Sequence, residues 1–378
     1  MARPLPRHEA RSERRQPGTR TACRPGGGGE AGYSLIELLV ALGITTVIMG
    51  TTMVGLRDAV RANDSVMRVT GMNNMLRASM DLMVRDLLQV GTGLPPGHVV
   101  SIPHGDQSQP IRFPGPPGTA FTSAAGDFEL AAVVPGDGRG PVVNGVATDT
   151  LTVLMGDNRL NGISISKVFT TDVDVSDPAE LDAAGGVAPG ELIVVTKGSC
   201  STLVQVTDLL PNGKIKFDSA DSLNLNQPQA KEGSLAALKD CPGVASISRI
   251  RMVSYYIDAT TEPLHPRLVR RLNNGDVWTF DNTLGTAVGL DIENFQLSFD
   301  LADGNDIVAN VLFTASDVGG TGACAPEPCG ATQTRKINIA LTARSKNGGL
   351  KSGHVFRNTL TSQISLRGMA FVNEYASE

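Results

Sequence analysis

The sequence predicts an α+β chain in which a long N-terminal helix, first transmembrane and then amphipathic, packs on a C-terminal antiparallel β-rich head. Three observations carry that expectation. Residues 34–56 read SLIELLVALGITTVIMGTTMVGL, an apolar run whose only charge is Glu37. Behind it Met72, Leu76, Met80, Met83, Leu87 and Val90 recur at three- and four-residue spacing, the period of one helix face. From Thr150 onward the period changes to two, as in TLTVLM and KINIALTAR, the alternation of half-buried strands.

Composition limits what the rest can be. Of 378 residues 41% are hydrophobic and 4% aromatic, too few for one large, tightly packed core, so a medium head plus something extended is expected. The net charge of -5 leaves no electrostatic footprint for wrapping nucleic acid, which is therefore not an expected partner. The charge is also uneven: residues 1–32 carry seven Arg against three Glu, a net +4, and taking +4 from -5 leaves -9 for the remainder. A basic, Pro/Gly-rich opening before an apolar run reads as a cytoplasmic leader, 1–32, and a membrane segment, 33–56, that enters N-end in.

The 23 residues of 34–56 meet the requirement of a bilayer-crossing helix, which is about 20 residues. A secretory signal peptide has a shorter apolar stretch with a small-x-small cleavage site behind it. Here the basic segment and Gly32 lie in front, so cleavage belongs before the span. Glu37 is the informative residue, because an acidic group in a membrane helix costs about 2.5 to 3.5 kcal/mol and needs a partner. A cut after Gly32 creates an α-amine on Tyr33 one helical turn from Glu37, in the same subunit or in a neighbour.

Over residues 57–91 the helix turns amphipathic, and Gly91 followed by Pro95 and Pro96 ends it. Residues 92–148, with PPGHVVSIPHG and FPGPPG, read as a Pro/Gly-rich connection holding one or two short strands. The head, 149–378, follows with the runs TLTVLM, ISISKVF, ELIVVT, TLVQVT and KIKF, then SISRIRMVSYYID, PRLVRRL, DVWTF, ENFQLSFDL and RKINIALTARS. Breaks such as NNGD separate some of these as hairpins do. The expected sheet covers the C-terminal half of the helix.

GYSLIELLVAL resembles the prepilin signature of type IV pilins and type II secretion pseudopilins. In that family a small residue, usually Gly, precedes the cleaved bond, an aromatic residue follows it and becomes N-methylated, and an acidic residue lies four positions further on. The resemblance maps these onto Gly32, Tyr33 and Glu37. It implies that a prepilin peptidase/N-methyltransferase cuts between Gly32 and Tyr33 and methylates Tyr33, and that Glu37 registers the incoming subunit in a growing filament. In this reading the residues are substrate, not catalyst. Two features depart from the family pattern: a leader longer than is common, and Gly43, Gly50 and Gly55 with no proline inside the span.

The order VSYYID, LVRRL, VGLDIENFQLSFD, KINIALTARS and FRNTLTSQISLRG is similar to the PilW or PulJ branch of minor pilins. That resemblance implies a pilin-like fold, a single-pass protein of a bacterial inner membrane with its head in the periplasm or outside, and later a place in a pilus or pseudopilus, at its initiation or tip. The implied partners are the peptidase, other minor and major pilins and the inner-membrane assembly platform. The alternative is a binding module, an adhesin or a receptor for DNA or a secreted substrate, whose contacts come from residues 92–240 and the CAPEPC loop.

Loss of the leader removes Cys23 and leaves Cys200, Cys241, Cys324 and Cys329, an even number that on an exported chain suggests two disulfides. Three pairings are open, among them closure of the short Cys324–Cys329 loop with Cys200 joined to Cys241. The five histidines (8, 98, 104, 265 and 354) have no paired metal-ligand spacing, so neither a metal nor a cofactor is expected. Asp300, Asp303, Asn305 and Asp306 in DLADGND lack the spacing and distal Glu of an EF-hand loop and read as a hairpin turn. Asp172, Asp174 and Asp177 read as exposed strand positions. No nucleophile elbow, Walker loop or dinucleotide fingerprint occurs, and an enzyme is not expected.

Overall fold

The computed structural model describes residues 32–95, 97–116, 121–124, 126–210, 213–273, 285–303, 306–345 and 355–369. The leader up to residue 31, the DVWTF strand, the NNGD break beyond Asn273 and the centre of the DLADGND turn lie outside the described residues. The first element among the described residues is helix α1 (Leu35–Leu87), and the chain divides into two compact units, Met1–Val60 and Arg61–Glu378.

In the first unit every described residue, Gly32 to Val60, is exposed. The segment is long and apolar enough to cross a membrane. Its hydroxyls are absorbed locally: Thr46 Oγ1 donates to Leu42 O at 2.6 Å, Thr45 to Ala41 O at 2.8 Å, and Thr52 to Ile48 O at 3.0 Å. Hydrogen bonding back one turn satisfies these threonine hydroxyls without water.

The second unit begins in the same helix. The stripe Met72, Leu76, Met80, Met83 and Leu87 is buried, and Val90 continues it past the helix end. Helical structure stops at Leu87 rather than at 91. Gln89 N–H and Val90 N–H bond three residues back, to Asp86 O and Leu87 O, which tightens the exit, and Gly91 takes φ +79°.

Residues 92–148 are more structured than a connection with one or two strands. They hold β1 (Val99–Ser101), β2 (Arg112–Phe113), β3 (Phe121–Thr122), β4 (Glu129–Ala131), β5 (Val133–Gly136), β6 (Val142–Val143) and β7 (Val146–Ala147) among the described residues. Strands of two to four residues are too short to display a period, so Pro and Gly dominate the local pattern. The segment still supplies core: Val100, Ile102, Ile111 and Leu130 pack with Leu154, Leu192, Val194, Ile250 and Met252 of the main sheet.

The main sheet is built on two long strands, β8 (Thr150–Val168) and β14 (Ala245–Asp258). Between them come β9 (Asp172–Val175), helix α2 (Pro178–Ala183), β10 (Leu192–Lys197), β11 (Cys200–Gln205), β12 (Asp208–Leu210), β13 (Lys214–Lys216) and helix α3 (Leu235–Leu238). After them come β15 (Arg267–Leu272) and β16 (Thr286–Leu290). All pairings are antiparallel, in the order β11-β10-β14-β8-β9-β13-β12, with β15 added to β14, β16 to β15 and β5 to β8. Partners change midway: β14 runs beside β10 as far as Ile250 and beside β15 from Val253. TLTVLM and ISISKVF, expected as separate strands, are one 19-residue strand that passes through Gly156. A side chain there would sit 2.9 Å from the Cα of Gly93 and from Thr92 O, so the two backbones touch and only glycine fits.

A second sheet has the order β18-β17-β19-β20, from β17 (Ile292–Asp303), β18 (Asp306–Val311), β19 (Thr334–Arg344) and β20 (Arg357–Ser365). Between β18 and β19 lies helix α4 (Ala315–Val318), whose start Thr314 and Asp317 close as a reciprocal capping box. Its inner residues, Phe295, Leu297, Phe299, Ile337, Ile339 and Leu341, join the α1 stripe and Val253, Tyr255, Ile257 and Leu268 of the main sheet in one cluster. A separate cluster, from Leu160 and Ile163 to Ile215 and Ile247, fills the other end of the main sheet beneath α2 and α3 through Leu181, Leu235 and Leu238. One long apolar N-terminal helix and a β-rich C-terminal domain make the α+β layout.

Candidate functional site

The N-terminal site is built by three residues without regular secondary structure, Gly32 to Ser34, that feed α1. Tyr33 is 88% exposed, and Ser34 is the helix cap. Ser34 O accepts the first helical bond, from Leu38 N–H at 3.1 Å, and Ser34 Oγ accepts from Ile36 N–H at 3.4 Å. Glu37 Oε2 accepts the N–H of Ser34 at 3.2 Å, so Ser34 and Glu37 together satisfy donors that the first turn leaves open. A carboxylate here also meets the positive end of the helix dipole. Gly32, Tyr33 and Glu37 thus lie within two turns of one helix start, with the Glu37 carboxylate fixed toward the chain that precedes the span. Ser34 is a capping residue that reading the apolar run alone misses, although S-L-I-E shows the S-x-x-E capping pattern.

Among the described residues nothing lies within 4 Å of where a side chain on Gly43, Gly50 or Gly55 would begin. No internal packing demands those glycines.

A second constellation fixes the helix to the head. Asp86 sits on the buried face of α1 and is 7% exposed. Its Oδ2 accepts from Tyr255 Oη at 2.5 Å and from Arg270 Nε at 2.7 Å, and its Oδ1 accepts from Arg270 Nη2 at 3.3 Å. Burial, and then the Asp86 charge, push the Tyr255 phenol above its usual range. Burial opposes the charge on Arg270, and the hydrogen bond and charge of Asp86 more than offset it, so its pKa rises. Beside this triad Ser79 Oγ donates to Val288 O at 2.9 Å, and Asn358 Nδ2 to Asn73 Oδ1 at 2.7 Å. α1 is therefore held by directional contacts as well as by apolar burial.

The remaining sequence candidates fall as follows. Cys200 bonds to Cys241 across 41 residues, and Cys324 to Cys329 across 5, one of the three open pairings. Asp172 and Asp174 share Lys214, at 2.8 and 3.2 Å, and Asp177 caps α2 through Ala179 N–H at 2.9 Å. His104 pairs with Glu232 and His265 with Asp291. Among the described residues no three His, Cys, Asp or Glu side chains converge to hold a metal. Asp300 is not a turn residue: it is buried on β17, where it accepts from Asn310 N–H at 3.1 Å.

Two other buried carboxylates, Asp157 and Asp149, differ in their partners. Asp157 holds Arg249 at 2.9 Å and Arg251 at 2.8 Å. Burial alone would raise the Asp157 carboxyl, but the Arg159 N–H and the two guanidiniums bring it below its usual range. Asp149 behaves oppositely. Burial pushes it up to about 6, against the Gly138 and Leu297 N–H groups that bond it at 2.8 and 2.7 Å.

No family model matches the chain, and no curated protein or solved structure matches it.

Proposed function

We propose that the chain is a prepilin-type precursor, cut between Gly32 and Tyr33 and methylated on Tyr33, that serves as a minor, structural subunit of a type IV pilus or type II secretion pseudopilus. One observation carries this reading. The apolar stretch of α1, exposed from Leu35 to Leu56, begins three residues after Gly32, and its only charge, Glu37, is held in its first turn. A bilayer covers such a surface first, and the same surface on neighbouring subunits covers it in a filament. Gly43, Gly50 and Gly55, which no contact within the chain requires, allow close helix approach in either setting. The basic leader keeps the N-terminus on the cytoplasmic side, the two disulfides suit an exported head, and the Asp86 triad keeps that head fixed on its helix.

In this mechanism the chain is worked upon. The new α-amine of Tyr33 supplies the positive partner that a Glu37 carboxylate needs in an apolar medium, within one subunit or between two. Glu37 has a second duty as a cap, and the two separate by substitution. Glu37→Gln keeps an oxygen for the Ser34 N–H and removes the charge; Glu37→Ala removes both. Both variants insert in the membrane and both lose incorporation into sheared filaments, measured by immunoblot against the membrane pool. Normal incorporation of Glu37→Gln contradicts the charge-pair role.

A further inference from the structure

The outer face of the second sheet has a chemistry that the filament reading does not use. Strand register sets its side chains in four rows across β17, β19 and β20: Asn294–Thr342–Thr359, Gln296–Ala340–Thr361, Ser298–Asn338–Gln363 and Asp300–Lys336–Ser365. Ten of these twelve positions are amides, hydroxyls or alanine, and the two charges share the last row. A sheet face that only meets water ordinarily intersperses Lys and Glu. Ala340, the smallest side chain, stands between Gln296 and Thr361, so the face dips there into an open groove of about 490 Å³ with Leu312 at its side. That volume falls within the range of small-ligand sites.

The polar groups of the groove are held in place. Asp300, buried at 6% exposure, accepts from Asn338 Nδ2 and Gln363 Nε2, both at 3.1 Å. Gln363 Nε2 also donates to Asn338 Oδ1 at 2.9 Å, and Asn338 Nδ2 to Ser298 Oγ at 3.2 Å. A carboxylate beneath two side-chain amides fixes them across three strands before any ligand arrives, which lowers the ordering cost of binding. Among the described residues the groove lining bears no charged side chain; the nearest two, Asp300 and Lys336, share the adjoining row with opposite signs, so neither an anionic nor a cationic ligand is favoured. An amide offers a donor and an acceptor side by side, and each hydroxyl of a sugar is both. Leu312 and the Ala340 methyl supply an apolar patch for the C–H face of a ring.

We propose that this groove binds a neutral oligosaccharide, with Gln296, Asn338, Thr361 and Gln363 hydrogen-bonding its hydroxyls over Ala340. The site belongs to the head alone, and its occupancy is independent of processing at Gly32.

The test is ligand-observed saturation-transfer NMR and calorimetry on the full-length protein in a detergent without a sugar headgroup. Cellohexaose, chitohexaose and maltohexaose are titrated, with a heparin oligosaccharide as the charged comparison. At least one neutral sugar binds saturably, in the millimolar range or tighter. Ala340→Trp, which fills the dip from the outer face, and Gln363→Ala each weaken it at least about tenfold, with melting unchanged for Ala340→Trp and lowered for Gln363→Ala, which takes one donor from buried Asp300. Thr361→Trp, on the exposed edge strand β20, does the same should Ala340→Trp disturb folding. Absence of binding by all three neutral sugars at about 10 mM, binding that survives these substitutions, or stronger binding of the heparin oligosaccharide overturns the proposal.

Discussion

Residues 35–60 and residues 61–87 belong to one helix and differ in what covers them. In the first stretch every side chain is exposed, and the apolar ones face all directions. In the second, Val66 and Met67 are still exposed, but from Met72 to Leu87 an apolar stripe is buried, and a carboxylate on it is matched by a phenol and a guanidinium from the sheet. Backbone geometry is the same in both, so secondary structure does not separate their roles; the distribution of apolar side chains around the axis does. A one-sided stripe is completed by the fold that carries it. An all-round apolar surface is left uncovered by the described residues of the chain, and its length and composition suit a bilayer.

The sharpest way to break that comparison is to remove the contact that belongs to one side only. Asp86→Ala leaves Arg270 and the Tyr255 hydroxyl without their buried acceptor, and the head loses about 3 kcal/mol, discounted for the partial exposure of Arg270. Denaturant unfolding followed through the head measures this, while membrane insertion stays normal. A loss of insertion in place of stability would show that the two stretches do not act separately.

The converse change is Val47→Arg, in the middle of the exposed apolar run. A central Arg costs about 2.5 to 3.5 kcal/mol of insertion free energy, so the protein shifts from the membrane to the soluble fraction. The unfolding midpoint of the head does not move. Retention in the membrane with a destabilised head would reverse the assignment of the two stretches.

The smallest effect concerns pH, and it should reach the head only. Asp149 sits at about 6 in the folded protein against an ordinary 3.8, so the folded state binds its proton more tightly than the unfolded state does. Stability from this group is therefore gained as pH falls through 6 toward 3.8 and is absent above 6. Between pH 7 and pH 5 the gain is about 1 kcal/mol. Asp137 and Asp221, also raised by burial, act in the same direction, and His98, lowered by burial, acts against them. The clean readout is the difference in pH slope of the melting temperature between the native chain and Asp149→Asn, and equal slopes would remove Asp149 as the cause.

Much of this was readable before any coordinates, because it depends on local period. The stripe from Met72 to Val90 is buried residue for residue, and the period-two runs around Val253, Phe295 and Ile339 became strands with those residues inside. What was not readable depends on partners far along the chain. Asp86 looks like one polar residue among several on the helix, and its partner Arg270 lies 184 residues away. The strands of residues 92–148 are too short to carry a period, so their contribution to the core through Val100 and Leu130 had no signal. TLTVLM and ISISKVF read as two runs because the residues between them lose the period; Gly156, inside the single strand, marks the approach of Gly93. At the N-terminal site the S-x-x-E cap was present in plain form but overshadowed by the oddity of a charge in an apolar run.

The most direct test of the central claim is intact mass and N-terminal sequencing of the protein purified from membranes of its native host, with and without an active prepilin peptidase. A start at Tyr33, carrying the added mass of one methyl group and dependent on the peptidase, is the predicted result. An uncut N-terminus, or a cut elsewhere, would contradict it and leave a single-span anchored protein with a β-rich head.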